Sequence, residues 1–96
     1  MLKRRGMKQI RLSGREASLI RALRFGLAVP GTELLESTRL SDEDLADVLN
    51  AMMEVGYVES TPFTEKTSAG ALATTAFEIN SAYVHELKAA IGFHRR

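Results

Sequence analysis

Ninety-six residues, 45% hydrophobic and 26% charged, have the composition of one ordinary globular domain; a second domain does not fit, and no apolar run approaches the roughly 20 residues that span a bilayer. The absence of cysteine excludes disulfides and thiolate zinc sites and suits a cytoplasmic location, and no apolar stretch follows the basic start Met1 to Gly6 to make a secretory leader. The net charge of +1 conceals a division: residues 1–30 carry eight bases against Glu16, a net of +7, whereas residues 31–60 carry eight acids against Arg39, a net of −7.

Residues 1–12 read as a basic arm. Ile10 and Leu12 alternate with polar residues, which suits a short strand or extended lead over Lys8 to Leu12, and Met7 is an alternative start that would remove Lys3, Arg4 and Arg5. Ser13 followed by Glu16 is a capping-box pattern, so a first helix is predicted from Gly14 or Arg15, with Leu19, Ile20 and Leu23 inward and Gly26 as a left-handed stop. After Pro30-Gly31, Thr32 is expected to cap a short helix that buries Leu34 and Leu35 and ends near Thr38. Ser41 caps a third helix with Asp44 at N3, and Leu40 and Leu45 form a staple across the cap. Leu45, Val48, Leu49, Met52 and Met53 keep the helical period, and Gly56 occupies the expected C′ position. A strand over Tyr57 to Ser60 is broken by Pro62, a loop rich in Thr, Ser, Ala and Gly follows, and a second strand near Thr75 to Ile79 turns Phe77 and Ile79 to one face. The last helix, capped by Asn80 or Ser81, aligns Tyr83, Val84, Leu87 and Ile91.

The stretch Glu33-Leu34-Leu35, Leu40-Ser41, Leu45, Leu49, Met52, Gly56-Tyr57-Val58 and then Phe77-Glu78-Ile79-Asn80 resembles winged-helix domains and is similar to bacterial winged-helix transcription regulators over roughly residues 13 to 92. The resemblance implies an α+β, mostly α fold: a winged helix-turn-helix over residues 13–96 with a two- or three-stranded wing sheet and a C-terminal helix. It also implies that the helix Ser41 to Val55 occupies the recognition position and that Thr61 to Thr74 is the wing.

The residues at those positions do not suit DNA. Recognition helices read guanine with Arg or Lys, and phosphate neutralisation supplies most nonspecific affinity. Here the polar side of the helix offers Asp42, Glu43, Asp44, Asp47, Asn50, Ala51 and Glu54, and the wing has a single base, Lys66, beside Glu65. First-turn carboxylates are also favoured by the helix dipole, which accounts for Asp42, Glu43 and Asp44 without a partner but leaves Asp47 and Glu54 unexplained. The favoured expectation is therefore a non-enzymatic interaction module that docks a protein partner, or a second copy of itself, through Asp42, Glu43, Asp47, Asn50 and Glu54. The alternative is a DNA-binding regulator that touches phosphates through Arg4, Arg5, Lys8, Arg11, Arg15, Arg21, Arg24, Arg39 and Lys66. The Tyr83 to Ile91 stripe offers a homodimer surface, and Phe63 is expected to tuck back onto the core. No phosphate-cradling glycine loop or nucleophile motif is present, and His85 and His94 stand without supporting ligands, so no catalysis, metal or cofactor is expected.

Overall fold

The computed structural model describes residues 10–94 and shows a mostly helical chain with a small antiparallel sheet. In chain order it has α1 (Gly14–Leu23), β1 (Val29–Pro30), α2 (Gly31–Thr38), α3 (Asp42–Glu54), β2 (Val58–Thr61), a 3₁₀ helix (Ala69–Thr74), β3 (Ala76–Ile79), a 3₁₀ turn (Ser81–Tyr83) and α4 (Val84–His94). The sheet order is β1-β3-β2, with Val29 opposite Phe77 and Val58 opposite Ile79.

Local signals set α1 and α3. At the start of α1, Ser13 and Glu16 close the reciprocal capping box: the Glu16 N–H donates to Ser13 Oγ at 3.2 Å and the Ser13 N–H to Glu16 Oε1 at 2.9 Å. Ser41 Oγ accepts the Asp44 N–H at 3.1 Å to open α3. That helix ends as expected at Gly56, whose φ of 89° places it in the left-handed region. Tyr57 N–H reaches Met52 O at 3.0 Å and Gly56 N–H reaches Met53 O at 3.1 Å, the paired bonds of a Schellman stop.

Other boundaries differ from the expectation. The first helix stops at Leu23, and Arg24, whose N–H makes the last helical bond onto Ile20 O, takes the positive φ, 62°, two residues before Gly26. Thr32 lies inside α2 and does not cap it; Pro30 is the N-cap residue, and the Gly31 N–H is satisfied at 2.9 Å by the carbonyl of Thr75 across the sheet. Ile10 to Leu12 join no strand, while Lys8 and Gln9 lie outside the described residues. The third strand is instead Val29–Pro30, an edge position that tolerates proline because no ladder N–H is required of it.

Phe77, Leu19, Ile20, Leu34, Leu45, Leu49, Leu72 and Leu87 are fully buried in one core shared by α1 to α4, the sheet and the 3₁₀ helix. Each such side chain contributes about 1.5–3 kcal/mol on burial. The α4 stripe is part of this core. Leu87 and Ile91 are buried and Tyr83 and Val84 are half-buried against the same core, so the stripe expected to build a homodimer packs largely within the chain. Asn80 joins three elements: its Oδ1 accepts from Ala82 N–H at 3.0 Å at the entry to α4, and its Nδ2 donates to Gly56 O at 2.8 Å just past α3. Tyr57 and Tyr83 meet edge to face beside it, with ring centroids 5.0 Å apart. Among the described residues no helix is long and apolar enough to cross a membrane.

Candidate interaction groove

The third helix divides by face. Leu45, Ala46, Val48, Leu49 and Met52 are buried, and Asp42, Glu43, Asp47, Ala51 and Glu54 are exposed. In β2 the period of two continues the division, with Val58 and Ser60 inward and Glu59 and Thr61 outward. The following loop curls back on the strand: Ser60 Oγ accepts the Thr64 N–H at 3.0 Å and lies 3.1 Å from the Pro62 carbonyl to which it donates. That short closure puts Phe63 at the tip, where it is 82% exposed. The expectation that Phe63 would tuck onto the core is therefore wrong; a ring one residue before the anchored Thr64 is turned away from the interior.

Asn50 has a structural role that was not expected. It is half-buried, and its amide is committed to the backbone of Thr67: the Thr67 N–H donates to Oδ1 at 2.7 Å and Nδ2 donates to the Thr67 carbonyl at 3.0 Å. The residue expected to contact a partner also pins the loop to α3. Beyond the pin, the chain forms the 3₁₀ helix, whose Leu72 is buried. The later part of this loop, through Thr67 and Leu72, is thus packed against the body, whereas Phe63, Glu65 and Lys66 are exposed.

Between α3, β2 and this loop lies a groove of about 910 Å³. Asp47 and Glu54 line it from the helix, Glu59 from the strand, and Phe63, Glu65 and Lys66 from the loop. All six side chains are exposed, so four carboxylates face a single ammonium across a concave surface with an aromatic ring at its edge. Clefts lined by one sign of charge focus the field and concentrate counter-charged ligands.

The expected site residues are only partly brought together. Asp47, Asn50 and Glu54 share the groove, whereas Asp42 and Glu43 are exposed in the first turn of α3 and are not among its lining. Glu59 and Glu65 were not anticipated as part of the site. Glu59 carries a readable signal, a polar residue alternating with Val58 and Ser60, but nothing in local sequence joins it to Asp47 seven residues before Glu54; tertiary packing of β2 on α3 does so.

Among the described residues, the bases expected for DNA other than Lys66 do not line this groove. Arg4, Arg5 and Lys8 lie outside the described residues, and Arg11, Arg21, Arg24 and Arg39 are exposed. Arg15 is paired with Asp44 at 3.5 Å, an ion pair that is about half exposed on both sides and stabilises by at most about 1 kcal/mol. Arg15 and Arg24 stand at opposite ends of α1, a separation of roughly 15 Å for ten helical residues. Among the described bases Lys66 alone lines the groove, beside four carboxylates. Among the described residues no group of three or more His, Cys, Asp or Glu side chains could hold a metal ion.

No family model matches the chain, and neither a curated protein nor a solved structure matches it.

Proposed function

We propose that the chain is a non-enzymatic winged-helix interaction module that receives a basic segment of a partner protein in the groove between α3, β2 and the loop after β2. The winged-helix reading is supported by the order of elements and by β1, between α1 and α2, pairing with β3. In that reading α3 stands in the recognition position and the loop around Phe63 to Lys66 is the tip of the wing.

The observation that carries the docking reading is the composition of the groove. Among the described residues, Asp47, Glu54, Glu59 and Glu65 face Lys66 alone, in the place where a DNA-binding member of the family would bring bases to phosphate. Phe63 adds an exposed ring suited to stack on a guanidinium, and arginine is the cation that combines stacking with bidentate carboxylate bonds. An arginine-bearing peptide therefore fits the groove better than a lysine-bearing one, and far better than a nucleic-acid backbone.

Reversal of Asp47, Glu54 and Glu59 to Lys, all three lining the groove, tests this. Fluorescence anisotropy with a labelled arginine-rich peptide should show affinity reduced by about tenfold or more, equivalent to about 1.4 kcal/mol, while affinity for duplex DNA rises. Unchanged peptide affinity in the reversed chain would rule the docking reading out.

A further inference from the structure

Two side-chain amides line the groove, those of Asn50 and Asn80, and both are engaged by backbone. Asn80 is tied to the ends of two helices, through the Gly56 carbonyl after α3 and the Ala82 N–H before α4. Asn50 is tied to a loop. Its Oδ1 accepts the Thr67 N–H at 2.7 Å and its Nδ2 donates to the Thr67 carbonyl at 3.0 Å, so one amide holds both polar backbone groups of a single residue. Residues directly opposite in an antiparallel ladder exchange the same two bonds. Asn50 therefore holds Thr67 as a neighbouring strand would, and the same grip suits the backbone of an extended peptide.

The present occupant is weakly held. Pro62, Phe63, Glu65 and Lys66 are exposed and Thr64 is half-buried, so no apolar side chain anchors the loop between Thr61 and Thr67. The stretch is tied down by the Asn50 amide and by the Thr64 N–H bonded to Ser60 Oγ, and hydrogen bonds exchanged against water contribute little net stability each. Thr67 itself is 8% exposed, and its hydroxyl has no hydrogen-bond partner among the described residues, a cost that opening removes by returning the group to water. Segments with few buried apolar contacts open at the low end of a protein's stability range. Leu72 is buried beyond it, which confines the opening to the loop.

We infer that Pro62 to Thr67 is a strap that opens from α3, and that Asn50 then exchanges Thr67 for the extended backbone of the docked peptide. The closed strap is an autoinhibitory contact: it occupies the one amide of the groove that can be released. The exchange rests on the docking reading given above; the opening does not. Apparent affinity scales with the fraction of molecules that are open, so a change that steadies the closed strap weakens binding without touching the ligand. Thr67 offers that change, because it is not among the residues that line the groove.

The test uses the full chain and its Thr67→Val variant, which loses the unpartnered hydroxyl. In the unsubstituted chain, hydrogen exchange corrected for intrinsic rates should be at least about tenfold faster at the Thr64 amide than at the Leu49 amide inside α3. The substitution, three residues away, should slow the Thr64 amide by about fivefold. Exchange at Thr64 as slow as at Leu49, or unslowed by the substitution, would overturn the opening strap.

Fluorescence anisotropy with the labelled arginine-rich peptide reads the exchange at Asn50. The substituted chain should bind the peptide about fivefold more weakly than the unsubstituted one. Equal or tighter binding overturns the exchange and leaves docking intact. Peptide binding by neither chain, with the Thr64 amide slowed, overturns docking together with the exchange that rests on it and supports the strap.

Discussion

The helix α3 and the segment from Thr61 to Thr75 meet in the groove but owe their structures to different kinds of information. In α3 each defining feature is local: Ser41 caps Asp44 three residues on, the buried side chains recur at helical spacing, and Gly56 ends the helix within two residues of its last turn. The segment is held from a distance. Asn50 grips Thr67 seventeen residues later, the Thr75 carbonyl accepts from Gly31, and Leu72 lies so close to Gly31 that a Cβ there would run into the Leu72 carbonyl. A capped, periodic helix withstands loss of any one local signal, whereas a segment tied at a few points depends on each tie.

That contrast can be broken at its ties. The largest effect is expected from Gly31→Ala, which drives a methyl group into backbone that has no rotamer to yield; a loss of about 3 kcal/mol or more should appear as a lowered denaturant midpoint. A loss of only a few tenths would mean that the 3₁₀ helix shifts freely on α2. Next, Asn50→Ala leaves the N–H and C=O of Thr67 without their partners and should cost about 2 kcal/mol, with faster hydrogen exchange around Thr67 but not within α1. Exchange that quickens equally everywhere would show that the loop is not a separate unit.

Two changes of about 1 kcal/mol should act in opposite directions. Ser41→Ala removes one cap and should destabilise by about 1 kcal/mol, leaving helix content in circular dichroism nearly unchanged. Thr67→Val replaces a buried hydroxyl that has no hydrogen-bond partner among the described residues and should raise the midpoint by a comparable amount; a lowered midpoint would mean that the hydroxyl is satisfied in solution. The smallest stability change is expected from Phe63→Ser, within about 0.5 kcal/mol, because so little of the ring is covered. Binding of the arginine-rich peptide should nevertheless weaken, and a large stability loss with unchanged binding would place Phe63 in the fold rather than in the interface.

The same contrast decides how much could be read from the residues alone. The helices α1 and α3, their caps, the Gly56 stop and the inward face of β3 were legible, since each depends on neighbours within four residues. Asn50 gave a partial signal: it follows the buried Ala46 by four positions and precedes the half-buried Met53 by three, so it flanks the apolar stripe. Its partner, Thr67, had no such mark. The sequence also suggested a core position for Phe63 because it is apolar, yet the Ser60 to Thr64 closure outweighs hydrophobicity by leaving the ring no path inward. Of the groove, Asp47 and Glu54 were legible as a face of one helix, and Glu59 and Glu65 were not, because their approach to that face is set by how β2 and its loop pack.

The most direct measurement is a parallel titration of the full chain, by fluorescence anisotropy at physiological salt, with a labelled arginine-rich peptide and with random-sequence duplex DNA. A groove holding four carboxylates and one lysine should bind the peptide and leave the DNA free. DNA binding that survives physiological salt, with no binding of the peptide, would contradict the docking role and return α3 to the recognition helix its position resembles.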